Sequence, residues 1–422
     1  MSSGTPQDLL SGEEFKLNNG VTVVYEHTPH TQIATVQAWI KTGSANESAE
    51  NNGISHFLEH ILFKGTENYK PDEIDAIVDA AGGQMNAGTS KDYTMYYVTL
   101  PVEHAGVAFS VISDMVFKAS FIPEEIEKEK PVVVQEIQRK YDNPTYEMWR
   151  DAMAEMYEST PYAMEIIGTE ENVNSFTSEM LKDYYSSHYH PKNTTLVVVG
   201  DISKAQAKEL AEKYFAGLSK IEPAEGYTGK WAPKPLPVKN KAKVYNKEVA
   251  QDYVLSAYRL PATAVDAPVY EVLTEILSGG EYSLLNKELK YDKGAVTAVS
   301  AGDMLSKNAG LFIVHMVTNP GDSEMALKAL EAALDVVISG KTDNKELEKA
   351  KNRLKSRTVF MKERASSLAS EIGYSYTLDI KDYYHTYTSR IDKITAEDVK
   401  TAALVFKEPA AVYITVPEAV EG

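Results

Sequence analysis

Residues 53–66 read GISHFLEHILFKGT. Ile54, Phe57, Leu58, Ile61 and Leu62 recur at the period of a helix, and Gly65 stands just past its end. Residues four apart share a helix face, so His56 and His60 can address one ion, and Glu59 lies beside them. Phe57, Leu58, Ile61 and Leu62 form the buried side that fixes the helix. Two neutral imidazoles beside a carboxylate are what a hydrolytic metal site needs: the ion lowers the pKa of its water, and a nearby carboxylate takes the proton. The bland reading is a pair of surface histidines. With 9 His in 422 residues, the five-residue pattern arises by chance in roughly 1–2% of such chains.

Such a site needs a third protein ligand and an open position for water. The helix expected over 123–142 offers Glu124, Glu125, Glu127, Glu129 and Glu136. Spacing alone does not choose among them. Glu129 and Glu136 lie two turns apart on one face, so one could be a ligand and the other stand behind it. Glu124, Glu125 and Glu127 suit a solvated acidic face. Pro131 is expected to kink this helix or start a new segment.

Near the start of the chain, EEFKLNNGVTVVYEH reads as two strands turned at Asn19-Gly20. TQIATVQAWIKTGS is a buried strand with Ala34, Val36, Ala38 and Ile40 on one face and Thr35 and Gln37 on the other. SANESAENN is a polar loop. PDEIDAIVDAAGG is a helix stopped by Gly82-Gly83. MNAGTSKDYTMYYVTLP reads as strand, and EHAGVAFSVISDMVFKAS as an amphipathic helix. His188 and His190, near Pro191, read as capping or surface groups.

The Pro-, Lys- and Gly-rich run over 221–241 is a linker candidate, giving domains at 1–220 and 242–422. An internal repeat supports that division. FTSEMLKDYYSSHYHPKNTTLVVV, from Phe176, resembles ITAEDVKTAALVFKEPAAVYITV, from Ile394, matching Thr177 with Thr395, Glu179 with Glu397, Lys182 with Lys400 and Pro191 with Pro409. Each copy runs helix, loop, strand, which suggests a duplicated α+β domain.

Composition narrows the function. The chain has 43% hydrophobic and 25% charged residues, as soluble globular proteins do. A net charge of −18 repels nucleic acid and anionic lipid and favours basic peptides. With no cysteine, thiolate zinc sites and disulfides are excluded. No apolar run reaches the length of a membrane span. The opening MSSGTPQDLLSGEEF lacks a signal-peptide pattern. It suits a bacterial cytoplasmic start, or a mature periplasmic protein whose leader has been removed.

The order H-x-x-E-H is that of the inverzincins, and the sequence resembles the pitrilysin/insulinase family, especially its short two-domain members such as the mitochondrial processing peptidase. The resemblance runs through LNNGVTVVYE, GISHFLEHILFKGT, AAGGQMNAGTSKDYTMYY, PEEIEKEKPVVVQEI, TPYAMEIIGTEENVNSFTSEMLKDYYSSHYHPKN and VVVGDI, and more loosely through LSGGEYSLLNKELKYDKG and RIDKITAEDVK. It implies two tandem homologous α+β domains, each a mostly antiparallel sheet packed with helices in two layers. It implies one Zn2+ per chain held by His56, His60 and Glu136, with Glu59 as general base and Glu129 supporting. Asn86 and Ala87 match the strand that takes the substrate peptide as an added β-strand.

One departure bears on assembly. Active members often carry an Arg and a Tyr seven apart in the second half, where this chain has Lys290 and Thr297. Lysine lacks the planar fork of arginine, and threonine cannot reach as tyrosine does. In the short members two chains pair to form a chamber. The resemblance therefore implies the zinc-carrying subunit of a heterodimer whose homologous partner supplies Arg and Tyr. The alternatives are a self-sufficient homodimeric peptidase and a non-catalytic structural or assembly subunit.

Overall fold

The Asn19-Gly20 pair turns the chain as expected. Strands β1, Glu13–Lys16, and β2, Thr22–His27, pair antiparallel with Lys16 opposite Thr22. Gly20 takes φ 106°, a conformation that favours glycine. The computed structural model describes residues 12–158, 160–217, 243–260, 266–407, 409 and 411–418. The candidate linker at 221–241 lies outside the described residues.

The first sheet has six strands in the order β1-β2-β6-β3-β5-β4, with β3 at Ile33–Ile40, β4 at Gln84–Thr89, β5 at Thr94–Pro101 and β6 at Thr194–Gly200. The run from Met85 to Pro101 is not one strand. It folds back as β4 and β5 through a turn in which the Ser90 amide donates to the Tyr93 carbonyl at 2.7 Å. That leaves β4 at the sheet's edge.

The second sheet repeats the plan. Strands β7, Lys243–Lys247, β8, Asp252–Leu260, β9, Ala298–Leu305, β10, Gly310–Thr318, and β11, Ala411–Pro417, lie in the order β7-β11-β8-β10-β9. This matches β2-β6-β3-β5-β4 strand for strand, with the single parallel pair in the same place: β2 with β6, and β7 with β11. The repeated Thr177 and Thr395 both cap helices, their hydroxyls accepting from the amides of Met180 and Asp398. The chain is an α+β protein of two related sheets with helices packed on them.

The compact units do not follow chain order. One is built from 12–138, 164–217 and 360–385, the other from 139–163, 243–359 and 386–418. Two contiguous halves, 1–220 and 242–422, therefore miss an exchange: each sheet takes one covering helix from the opposite half of the sequence. In the first unit the helix Ala365–Thr377 lies over β3 and β6. Gln37 Nε2 donates to the Ser366 carbonyl at 3.2 Å, 329 residues away, and the Trp39 indole donates to Gln37 Oε1 at 2.8 Å. In the second unit the helix Tyr146–Met156 lies over β11, where the Tyr413 hydroxyl meets Glu155 at 2.5 Å. Each sheet thus gains a third layer. Strand alternation shows that Thr35, Gln37 and Trp39 share a face, but not what covers it.

On the other face of the first sheet, Ala34, Val36, Ala38 and Ile40 join Phe109, Ile112 and Met115 of the helix Ala105–Phe117 in the core. The helix Pro123–Arg139 passes through Pro131 without restarting. The carbonyl that loses its partner there belongs to exposed Glu127, where water can satisfy it. No helix among the described residues is long and apolar enough to cross a membrane.

Candidate metal centre

The helix carrying the histidines spans Ile54–Ile61 and buries Ile54, Phe57, Leu58 and Ile61. Its N-terminus is held from an unexpected place. Glu47, in the loop read as merely polar, is buried and accepts from the Gly53 amide at 2.7 Å, the Ser55 amide at 2.8 Å and Asn52 Nδ2 at 2.9 Å. A carboxylate at this end satisfies amides that have no partner within the helix and opposes the helix dipole. Burial pushes Glu47 above the usual carboxylate range, against the pull of these hydrogen bonds. Ser55 is also held through its hydroxyl to the Tyr184 hydroxyl at 2.8 Å.

The four-residue spacing brings the rings of His56 and His60 to 4.8 Å between centroids. Glu136 comes from the helix Pro123–Arg139. Its carboxylate oxygens lie 3.8 Å from His56 Nε2 and 3.6 Å from His60 Nε2. One ligand atom from each of these three residues falls within 4.8 Å of the others. Metal–nitrogen and metal–oxygen bonds of about 2.0–2.2 Å place tetrahedral ligands about 3.3–3.6 Å apart. The donor set and its spacing therefore fit a divalent ion with small adjustment.

Of the five glutamates offered by the sequence, Glu136 faces the ring nitrogens and Glu129 stands behind. Glu129 Oε1 meets His60 Nδ1 at 2.9 Å, and its Oε2 meets Lys64 Nζ at 2.9 Å. The Glu129 side chain is 8% exposed and that of Glu136 45%. A bond at Nδ1 orients the ring with Nε2 toward the site. Burial alone would lower the His60 pKa, but Glu129, with Glu59 and Glu136, holds it above the ordinary imidazole value. Burial opposes ionisation of Glu129 too, and His60 and Lys64 overcome it, holding Glu129 low. Glu125 and Glu127 pair with Lys128 and Lys130 on the helix surface.

Glu59 points to the first sheet. Its Oε2 accepts from Thr89 Oγ1, at the end of β4, at 2.6 Å. Burial raises its pKa, Thr89 and His60 pull it down, and Glu136 adds to the rise. Asn86 and Ala87 also lie on β4, opposite Tyr97 and Tyr96, and Asn86 Oδ1 accepts from the Ala87 amide at 2.9 Å. Among the described residues β4 has no partner on its outer side.

In sequence order, residues 22–170 match the family described as Insulinase (Peptidase family M16), and residues 175–354 match Peptidase M16 inactive domain. The chain belongs to the insulinase family, peptidase family M16. A Bacillus subtilis zinc protease, YmxG, is 31% identical over 86% of this chain and 87% of its own length. The beta subunit of the mitochondrial-processing peptidase of Saccharomyces cerevisiae is 27% identical over 91% of this chain and 86% of its own. A protease from Helicobacter pylori superimposes with a TM-score of 0.90 at 25% identity, covering 97% of this M16 chain and all of that one.

Reading the sequence missed Glu47, Lys64 and Thr89. Only Lys64 left a local signal, four residues beyond His60. His188, in the last turn of the helix Ser178–His188, bonds the Tyr184 carbonyl at 2.9 Å, the capping role expected of it, whereas His190 is buried rather than at the surface.

Proposed function

We propose that this chain is a zinc-dependent endopeptidase acting on short or unfolded peptides, with one zinc ion held by His56, His60 and Glu136. The observation that carries this reading is the approach of Glu136 to the ring nitrogens of His56 and His60, with Glu59 on the helix that bears the two histidines. When bound there, zinc supplies the Lewis acidity that brings a water's pKa toward neutrality and polarises a carbonyl. Glu59 takes a proton from the attacking water and passes one to the departing amine, so the C–N bond breaks as the new C–O bond settles. Glu129 keeps His60 oriented. The peptide lies as an added strand along Asn86 and Ala87, where backbone pairing makes little demand on side chains.

The second half supports a shared active site. Lys290 Nζ lies 4.0 Å from Glu281 and over the Tyr291 ring, and Thr297 Oγ1 donates to the Val317 carbonyl at 3.1 Å. Neither residue offers the Arg and Tyr of active relatives. We therefore assign this chain as the zinc-carrying subunit of a heterodimer in which a homologous partner brings them.

The test is Glu59→Gln. Bound zinc, measured by elemental analysis, should be unchanged, while turnover of an unfolded peptide falls about 10²–10⁴-fold or more. Unaltered turnover would remove Glu59 from the chemistry. A chain that takes up no zinc would favour the assembly-subunit reading.

A further inference from the structure

Thr89 stands between two parts of the site that the proposed function treats separately, the strand that takes the peptide and the base that acts on water. It is the last residue of β4, two positions beyond Ala87 and so on the same face of the strand. Its hydroxyl reaches Glu59 Oε2 at 2.6 Å, the length of a strong hydroxyl-to-carboxylate bond.

Neither end of this bond is loose. On the strand side, the turn after Thr89 is fastened to the 43–47 loop: the Ser44 amide donates to the Ser90 carbonyl at 3.1 Å and the Ala45 amide to the Lys91 carbonyl at 2.8 Å. Gly43 packs so closely that a Cβ there would lie 2.2 Å from the Ser90 carbonyl oxygen. On the helix side, the same loop carries Glu47, which grips the amides of Gly53 and Ser55. One loop therefore sets the end of β4 and the start of the metal helix together, and the Thr89–Glu59 bond closes the circuit.

We infer that Thr89 is the positioning residue for the base: its hydroxyl engages Oε2 of Glu59, its main-chain amide bonds the same carboxylate, and together they tie the alignment of the base to the strand on which the peptide docks. The inference rests on Glu59 being the base. Without the hydroxyl the carboxylate is held by the Thr89 amide alone and its alignment loosens, and a small misalignment at a reacting group is costly in rate. A methyl group of the same size cannot replace the hydroxyl, whereas serine can.

The experiment compares Thr89→Val, Thr89→Ser and Glu59→Gln in the chain assembled with whatever partner gives activity. Thr89→Val should lower kcat about 10- to 100-fold with KM and zinc affinity unchanged, and Thr89→Ser should recover most of the loss. A second readout needs neither metal nor turnover. In the zinc-free chain, the carboxyl 13C resonance of Glu59 should move in Thr89→Val and stay near its place in Thr89→Ser. Unchanged thermal unfolding of Thr89→Val would show that the strand is intact. Retained kcat in Thr89→Val, a loss confined to KM, or an unmoved resonance overturns the inference. If Glu59→Gln is inactive while Thr89→Val is not, this inference alone fails. If Glu59→Gln itself turns over normally, the base assignment fails and the role of Thr89 falls with it.

Discussion

In the proposed zinc site Glu129 would act through charge as well as geometry. His60 must give up a proton before its Nε2 can bind a metal ion. Because the surrounding carboxylates hold that proton above the ordinary imidazole value of about 6.5, zinc affinity should begin to fall while the pH is still above that value. In Glu129→Gln the proton is released more readily, so the onset should move to lower pH. The plateau affinity should nevertheless drop about 10- to 100-fold because the ring has lost its orienting partner. Chelator competition over a pH series checks both effects, and an unshifted onset would contradict them. Glu47 makes a different prediction. Glu47→Ala leaves two buried main-chain donors in its place, and each abandoned donor costs about 1–3 kcal/mol, readable as a lower urea midpoint. The sign of its pH dependence is set by burial, which raises its pKa. Its proton stabilises the fold below about pH 4.3, and that contribution is lost as pH rises through the higher folded value.

At the scale of an element, β3 shows how one strand serves two layers. Its even-numbered residues enter the core with the helix Ala105–Phe117, and Gln37 and Trp39 on its other face meet the helix Ala365–Thr377. Contact with that second helix is close at Gly373, where a Cβ would lie 2.1 Å from Trp39 Nε1, itself held by Gln37. Alanine in place of glycine within an open helix stabilises by about 1 kcal/mol. Here the indole cannot yield, so Gly373→Ala should instead destabilise by about 1–3 kcal/mol. Thermal or urea unfolding decides the sign, and a stabilised variant would show that the helix does not sit against Trp39.

For the whole molecule, the exchange of covering helices means that the first unit is not a stretch of sequence. Residues 12–217 expressed alone should leave Trp39 and Gln37 uncovered and fail to give a soluble, cooperatively folding product, whereas co-expression with 360–385 should restore one. Solubility and near-ultraviolet circular dichroism test this. The net charge of −18 should draw in basic peptides, so KM for a lysine-rich substrate should rise with salt while that for a neutral one changes little. The proposed heterodimer predicts that the purified chain alone hydrolyses peptides poorly and gains activity when a homologous chain bearing Arg and Tyr is added. Full activity from a homodimer would contradict it.

Much of this protein was legible from the sequence because the signals are short-range. Helical spacing set His56, Glu59 and His60 on one turn, Asn19-Gly20 marked a hairpin, and a repeated helix–loop–strand pointed to two related sheets. Local spacing could not say which of five glutamates reaches the rings, because that depends on how one helix packs against another. His60 and Glu129 meet across 69 residues and Gln37 and Ser366 across 329. Such contacts, like the hold of Glu47 on the metal helix and of Thr89 on Glu59, exist only once the chain has collapsed around a shared core, and nothing in the local order of residues encodes them.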